Sequence, residues 1–505
     1  MNKVTMVAVF LLCLAFTFPV QAKEWTVLVY IAGDNDLGEF GLIDINEMEK
    51  VGSSDEVDII VQFDGSEEYT PETPGAKRYY IKKDDDDEKI TSPILKDLGE
   101  VDMGSKKTFR DFVEWAAMNY PADKTAIVLW NHGNGWYQDV ESSSIDITIP
   151  QDVEQLVQAV EAAQKGDVKS VLKEVMAKRR VIPTSMSPFK KQVEDEEEED
   201  LFSDNDGAIC YDEGNGTTAM STTDVEEVLR KVSKVYGTNF EVIGFDACLM
   251  AMVEVMFELR KCGKYCVASQ IVEPGDGWAY DDFLACLTAQ PEMNGEKLGK
   301  EIVRSFTDSY RENNEYTFDP FALNSTTLCC VDLSKIEKLG NAINNLGFSL
   351  AEKGKEARDM ALAATVSTQH CGVIAQTEPT VLLAMTAHRD LIHFAKNVKK
   401  IYEQDFIIPQ LASKVIKYAE RAIVSFEKLD ESPLTSVKNA TGLSVYIPCL
   451  AVDGTYGQLE MGKGSWREFL DYLEATPAER KEIIDLMTGK ASFTKVDNFN
   501  RLHGE

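Results

Sequence analysis

The sequence of 505 residues predicts an α/β fold, with a mostly parallel β-sheet that has helices on both faces and a helix-rich region after it. Two observations predict this class. Short apolar segments alternate with amphipathic helical patterns, which is typical of parallel strands joined by helical crossovers. Several of these segments are apolar without alternation, as strands buried on both faces are. We therefore expect reactive side chains at the carboxyl ends of the strands.

The predicted elements begin with strands at 25–32 and 57–63. Between them lies a helical pattern that places Leu42, Ile45 and Met48 on one face. The alternation then continues with a helix at 109–118, a strand ending at His132, a helix at 225–235, a strand ending at Cys248 and a short strand at 266–269.

From about residue 292 the chain is dominated by helical patterns, at 295–313, 333–352, 356–365, 387–402 and 413–429. Two strands, at 327–331 and 443–448, interrupt these helices and either extend the main sheet or form a small second one. The predicted organisation is therefore a signal segment at 1–22, an α/β core at 23–291, and a helix-rich region at 292–505 that packs on the core or extends it.

An exposed insertion of about 141–206 separates the two strands that end at His132 and Cys248. It combines a polar helical stretch with an acidic run at 194–200, a composition typical of a partly disordered, solvated segment. It also contains five basic residues: Lys178, Arg179, Arg180, Lys190 and Lys191.

The net charge of −33 argues against binding to nucleic acid or to an anionic membrane, because both use Lys and Arg to neutralise phosphates. Cationic partners are favoured. Residues 1–22 have the basic start, apolar run and small-residue end of a secretory signal. We expect an exported protein that is periplasmic, surface-bound or released, and an uncleaved anchor remains the alternative.

Nine cysteines follow the signal, an odd number with irregular spacing, which does not resemble a disulfide framework. Most are expected to be small buried hydrophobic side chains. Cys248 differs because it ends a long apolar strand and precedes a helical pattern at 249–259, whose amino terminus would lower the thiol pKa.

The strands at 125–133 and 240–248 would place His132 and Cys248 side by side. An adjacent imidazole favours the thiolate that nucleophilic catalysis needs, so the pair predicts a cysteine peptidase. Taken singly, His132 could cap a strand and Cys248 could be a buried structural cysteine. Gly133 leaves room for a substrate and offers a backbone amide to an oxyanion.

Three further residues are candidates for substrate binding. Asp246 lies two residues before Cys248 and points to the same side of the strand, where a carboxylate would favour a cationic side chain, arginine in particular. Its alternative role is loop capping. Asp276 and Trp278 lie in a loop rich in proline and glycine, where Trp278 could form the wall of a pocket.

Four motifs in this order resemble the clostripain family of cysteine peptidases, which share the caspase and gingipain type of fold. They are YIAGDNDL at 30–37, WNHGNGW at 130–136, FDACLM at 245–250 and EPGDGW at 273–278. GLSVYIP at 442–448 and Trp466 extend the resemblance over nearly the whole mature chain.

The resemblance implies a dyad of Cys248 and His132, an oxyanion site from the amides of Cys248 and Gly133, and Asp246 at the base of a pocket for arginine or lysine. The substrates would then be proteins or peptides with Arg or Lys at the cleavage site. It also implies a zymogen that is activated by internal cleavage, for which the five basic residues of the insertion are candidate sites.

Some members of the family need calcium. Asp34, Asn35 and Asp36 offer oxygen ligands but lack the glycine and distal glutamate of an EF-hand, so a polar turn is favoured there and no metal ligand is assigned. Two other functions remain open: a caspase-type peptidase of different specificity, and an exported binding protein of the same fold without turnover.

Overall fold

A computed structural model describes residues 22–86, 89–136, 208–214, 216, 218–312, 325–353, 355–371, 387–430, 437–448 and 452–473. The signal segment, apart from Ala22, and the whole insertion of 141–206 with its five basic residues lie outside these ranges. Among the helices that the structure describes, none combines the length and hydropathy that crossing a membrane requires.

The centre of the protein is a nine-stranded sheet in the order β12-β10-β9-β8-β5-β1-β2-β3-β4. Two further pairs, β11-β13 and β6-β7, form small separate sheets. The strands are β1 (Lys23–Gly33), β2 (Val57–Gly65), β3 (Gly75–Tyr80), β4 (Ile94–Gly99), β5 (Ala122–Trp130), β6 (Ile209–Asp212), β7 (Thr218–Met220), β8 (Phe240–Asp246), β9 (Tyr265–Ala268), β10 (Ser325–Asp332), β11 (His388–Asp390), β12 (Ile423–Asp430) and β13 (Ser444–Tyr446).

The five central strands, β9-β8-β5-β1-β2, are parallel to one another. An antiparallel pair flanks them on each side, β3-β4 at one edge and β10-β12 at the other. The prediction of a mostly parallel sheet is therefore confirmed. The centre is parallel because β1, β2, β5 and β8 are buried on both faces and need helical crossovers between them.

Helices cover both faces of the sheet, as predicted. One face packs against α1, α5 and α6 around a core that includes Val29, Val61 and Phe283. The other face packs against α2, α3, α4 and the later helices. The helices are α1 (Gly38–Val51), α2 (Lys106–Asn119), α3 (Thr222–Tyr236), α4 (Val253–Leu259), α5 (Tyr280–Ala289), α6 (Gly295–Glu312), α7 (Ile336–Ala351), α8 (Lys355–Val366), α9 (Leu391–Ile401), α10 (Ile408–Ala422) and α11 (Ser465–Leu473).

Two predicted helices in the C-terminal region are partly strands. The helix predicted at 413–429 ends at Ala422, and the chain continues as β12, which pairs with β10 through Phe426 opposite Cys329. The helix predicted at 387–402 likewise begins with strand β11. Pairing with another part of the chain decides these segments, and local helical periodicity does not report it.

The C-terminal region both extends and covers the core. β10 and β12 lengthen the main sheet, while β13 pairs with β11 in a second sheet, so both open alternatives occur. Near Cys248, Met252 forms a bridge with Ser444 of β13. Trp136, which follows the His132 motif, packs its ring edge-on against Tyr446 and Tyr456. The predicted domain boundary at 291 stays a prediction.

Candidate active site

Parallel pairing of β5 and β8 brings the two predicted reactive residues to one edge of the sheet. Trp130 and Asp246, the last residues of the two strands, lie opposite each other in the register. His132 and Cys248 each follow two residues after the end of their strand. The Asn131 amide donates to the Asp246 carbonyl at 3.3 Å, so the pairing persists just beyond the strand ends. Both side chains are buried, His132 at 3% exposure and Cys248 at 0%.

Gly133 packs directly against the backbone of Cys248. A Cβ atom at this position would lie 2.5 Å from the Cys248 carbonyl oxygen and 2.9 Å from the Cβ of Ala247. No side chain fits at this distance, so the close approach of the two strand ends requires glycine. This packing supports the predicted role of both residues in one oxyanion site, which stays a prediction.

His132 is held by a carboxylate that the sequence did not single out for this role. Its Nε2 lies 2.7 Å from Oδ1 of Asp36, a residue in the turn between β1 and α1. The ring of Tyr211, in β6, is edge-on to the imidazole at 6.4 Å between centroids. Asp36 could have been suspected because β1 and β5 are neighbours, so their carboxyl ends share one edge of the sheet.

The turn around Asp36 is built as the polar turn favoured from the sequence. The side chain of Asn35 accepts the Leu37 amide at 3.0 Å and donates to the carbonyls of Ala32 and Tyr211. Asn35 therefore caps the turn and ties β6 to the end of β1.

The surroundings of Cys248 differ from the prediction in one respect. Helix α4 begins at Val253, so Cys248 does not lie at a helix amino terminus. Leu249 instead adopts a left-handed φ of 66° and its amide donates to Ile271. The donor to the thiol is the backbone amide of Glu273, whose nitrogen lies 3.3 Å from Sγ. A left-handed φ in a branched residue is a strained conformation of the kind found at active sites.

Asp246 is buried at the side of the site, with hydrogen-bond donors on its carboxylate. Its Oδ2 accepts the Trp278 amide at 3.2 Å and the Tyr280 hydroxyl at 3.0 Å. Burial raises the pKa of Asp246 to about 6, although these hydrogen bonds and one with Glu273 oppose the increase. Gly277 has a φ of 59°, and a Cβ there would lie 3.0 Å from the carboxylate.

Three more acids surround Asp246, and we call the four side chains the pocket carboxylates: Asp44, Glu47, Asp246 and Glu273. Burial and the charge of Asp246 raise the pKa of Asp44 and of Glu273 well above the ordinary range. Burial and the charge of Asp281 raise the pKa of Glu47 to about 7. The site therefore concentrates carboxyl groups whose charged form a cationic side chain would stabilise.

The remaining predicted pocket residues take different positions. Trp278 is fully buried, and its ring packs over Gly244 and against Phe283 in the core. Its backbone amide donates to Asp246 in the site. Asp276 is half-buried, and its charge contributes to the raised pKa of Asp44.

The other histidines have different surroundings. His370 and His388 lie beside Arg389, and burial together with that positive charge lowers their pKa values to about 3 and about 4. His393 accepts the amide of Gln369 through Nδ1. His503 lies outside the described residues. Among the described histidines, His132 alone lies at the carboxyl end of the central strands.

Among the described residues, the cysteines other than Cys248 fit the prediction of small buried side chains. Cys210, Cys262, Cys266, Cys329, Cys330 and Cys371 are buried free thiols, and Cys286 is a half-buried one. Burial raises the pKa of Cys262 to about 12 and that of Cys210 well above its ordinary value, so these thiols stay protonated.

Comparisons with known proteins point to one family. The model of Peptidase_C11, the clostripain family, matches residues 29–179 and 196–450. Clostripain of Hathewaya histolytica is 22% identical over 379 residues, 66% of this chain and 58% of that protein. The match thus spans less than two thirds of that relative's length.

Two solved structures share the fold. A secreted C11 cysteine protease from Bacteroides thetaiotaomicron, in complex with an irreversible peptide inhibitor, has a TM-score of 0.56 at 19% identity, covering 88% of this chain and 99% of that one. An inactive zymogen C11 protease from Parabacteroides distasonis has a TM-score of 0.55 at 16% identity, covering 88% and 98%. With the family model matching most of its length, the chain belongs to the clostripain family.

Proposed function

We propose that this protein is an exported cysteine endopeptidase that cleaves after Arg or Lys through a dyad of Cys248 and His132. The observation that carries the specificity is the buried carboxylate of Asp246, two residues before the nucleophile and surrounded by other acids. A guanidinium or ammonium group of the substrate would form an ion pair with this carboxylate. Arginine in particular can pair with a carboxylate through two hydrogen bonds.

In the proposed mechanism His132 takes the thiol proton of Cys248, and the thiolate attacks the carbonyl carbon of the scissile peptide. The amides of Gly133 and Cys248 stabilise the oxyanion. His132 then protonates the leaving amine, and the carbon–nitrogen bond breaks to give a thioester. Water attacks the thioester with His132 as base, which releases the new carboxylate and restores the thiol.

Two contacts prepare these groups for their roles. A carboxylate on Nε2 of His132 favours a proton on that nitrogen, which leaves Nδ1 as the base toward the thiol. Asp36 thereby also stabilises the imidazolium that forms. The Glu273 amide donates to Sγ, which favours the thiolate over the thiol.

The pocket for the basic side chain has Asp246 as its charged base, and Asp276 lies close enough to add negative charge. The Trp278 amide and the Tyr280 hydroxyl both donate to Oδ2 of Asp246, which fixes the orientation of this carboxylate. Glu273 has its pKa raised well above the ordinary range by burial and by Asp246, so it carries the proton of that pair.

The protein is proposed to be a zymogen activated by cleavage within 141–206. The candidate sites are the basic residues of this insertion: Lys178, Arg179, Arg180, Lys190 and Lys191. A peptidase with a basic specificity could cut these itself. The described residues on either side of the insertion meet at the site, since Gly133 before it forms a bridge with Ile209 after it. The signal segment at 1–22 is proposed to direct the export of the protein.

The test is hydrolysis of matched fluorogenic peptides that end in Arg, Lys, Asp or Asn, with gels that follow the chain itself. We expect turnover after Arg or Lys and cleavage within 141–206, both absent in Cys248→Ala. Turnover only after Asp or Asn would reassign the pocket. No turnover by the chain after deliberate nicking of the insertion would favour an exported binding protein.

A further inference from the structure

A short segment after β9 contacts the nucleophile, and we call it, residues 269–273, the support segment. The Ile271 carbonyl accepts the Leu249 amide at 3.0 Å, and the Glu273 amide nitrogen lies 3.3 Å from Sγ of Cys248. Leu249 has a left-handed φ of 66°, a conformation that persists only where the surroundings hold it. The position of the support segment therefore affects both the thiol and the residue that follows it.

Buried hydrogen bonds tie the support segment to the rest of the chain. Oγ1 of Thr327, in β10, accepts the amides of Gln270 at 3.0 Å and of Ile271 at 3.2 Å. The Gln270 side chain is 1% exposed. Its Nε2 donates to Oδ2 of Asp390 at 2.8 Å, and its Oε1 accepts the Gly442 amide at 3.0 Å. One side-chain amide thus joins the support segment to two parts of the C-terminal region.

Asp390 is fully buried and does more than cap a helix. Its Oδ1 accepts the His393 amide at 2.7 Å, which is the usual contact of a residue that precedes a helix, here α9. Its Oδ2 accepts the Gln270 side chain and, at 2.7 Å, the Thr441 amide, and neither donor belongs to that helix. Helix capping therefore leaves the contacts of Oδ2 unexplained.

We propose that Gln270 and Asp390 are positioning residues for Cys248, because their buried pair holds the support segment where the Glu273 amide reaches the thiol. An amide that donates to sulfur favours the thiolate, and such a bond weakens steeply with distance and angle. A displacement of the thiol relative to His132 would also slow the proton transfer between them. A misplacement of about 1 Å, even one caused far from the reacting atoms, can cost about a hundredfold in rate.

The pair makes the reactivity of the nucleophile depend on the C-terminal region. Gln270 follows β9 of the central sheet, whereas Asp390 lies at the junction of β11 and α9, and Gly442 precedes β13. A core without this region would lack both of the groups that hold the Gln270 side chain. The expected effect on turnover rests on the proposed function. The expected effect on alkylation of the thiol does not.

An exchange of the two side-chain groups tests the pair. Asp390→Asn keeps a residue that caps a helix equally well, but it replaces Oδ2 by a nitrogen that faces two donors. Gln270→Glu places a second carboxylate against the first. In each single variant of the full chain, kcat for an Arg peptide should fall about tenfold to a hundredfold with little change in KM. Alkylation of Cys248 by iodoacetamide should shift to higher pH.

The double variant is the sharpest arm of the experiment. Gln270→Glu together with Asp390→Asn restores one amide opposite one carboxylate, so it should recover a large part of both kcat and the alkylation profile. Rates are expressed per Cys248 that exhaustive alkylation labels, because a merely structural defect lowers the amount of active protein and leaves its rate unchanged. Gln410→Glu and Asp471→Asn, the same changes at exposed positions on α10 and α11, should behave like the parent protein.

Gln270→Met removes both side-chain hydrogen bonds without adding a charge, so it decides the question if the charged variants fold poorly. Rates and pH profiles that stay unchanged per labelled Cys248 would overturn the proposal, as would a double variant no better than the single ones. A chain that hydrolyses no peptide but shows the expected alkylation shifts would overturn the proposed function alone.

Discussion

Two groups of acids lie at the same edge of the sheet, and they differ in their hydrogen-bond donors. One is the pocket carboxylates, and the other, which we call the acidic cluster, consists of Asp34, Asp64, Glu100 and Asp212. In the pocket carboxylates, Asp246 receives an amide and a hydroxyl. In the acidic cluster, Asp64 receives no donor at all. A buried carboxylate with donors can stay charged between visits of a cationic substrate, whereas one without donors is held in its protonated form, as the pKa of Asp64, raised by burial to about 9, indicates. Donors therefore distinguish an acid that can recognise a cation from one that stays neutral.

The largest effect that separates the two groups is expected from Asp246→Asn. Loss of one charge of a buried pair costs about 3–5 kcal/mol, so kcat/KM for an Arg substrate should fall by at least about a hundredfold. Asp64→Asn, which removes no charge from the pocket, should reduce it by a smaller factor. Peptide kinetics on both variants measure this difference. If Asp246→Asn leaves Arg turnover unchanged, the pocket has another specificity.

A smaller loss of activity is expected from Asp36→Asn. This variant tests the carboxylate that holds His132. Because the variant no longer stabilises the imidazolium of His132, kcat should fall about a hundredfold while KM stays the same. Steady-state kinetics and the rate of Cys248 alkylation against pH measure the effect. Asp36→Glu, which keeps the charge, should recover part of the rate. A rise in KM with normal kcat would assign Asp36 to substrate binding.

The pH dependence of KM tests whether Asp246 pairs with the substrate. Its pKa is about 6, so protonation at lower pH removes the charge that attracts a basic side chain. KM for an Arg peptide should therefore rise as the pH falls below about 6, approaching tenfold per pH unit. Kinetics from pH 5 to 8 provide the measurement. The same slope in Asp246→Asn would mean that another group is responsible.

The smallest effect is expected on stability. The pKa values of Asp246 and Asp64 are raised in the folded protein to about 6 and about 9. The stabilising protons are fully present below the unfolded pKa near 4 and are lost as pH rises through the folded values. The melting temperature of Cys248→Ala should therefore decrease from pH 5 to 9. Asp64→Asn should flatten the decrease above pH 7, and an unchanged slope would contradict this account.

The sequence predicted the centre of the fold better than its edges. β1, β2, β5 and β8 were predicted because strands buried on both faces are apolar throughout. β4 was missed because its side chains are largely exposed, and β12 because its pairing with β10 overrides a helical pattern. Local periodicity reports burial, whereas edge strands depend on distant partners.

The same limit applies to the site. His132 and Cys248 were predicted because each ends its own apolar strand and neighbouring parallel strands end together. Asp36 and Glu273 were not assigned their roles because they reach the site from turns after other strands, β1 and β9. The acidic cluster draws on four separate segments, so only the folded sheet brings its members together.

The order of strands has a consequence for the activated protein. Every strand before the insertion lies on one side of the junction between β5 and β8, and every later strand of the main sheet lies on the other. A cut within the insertion would thus give a heterodimer whose two polypeptides meet along this junction, with His132 on one and Cys248 on the other. The active site would belong to neither fragment, and fragment complementation would be the way to rebuild it.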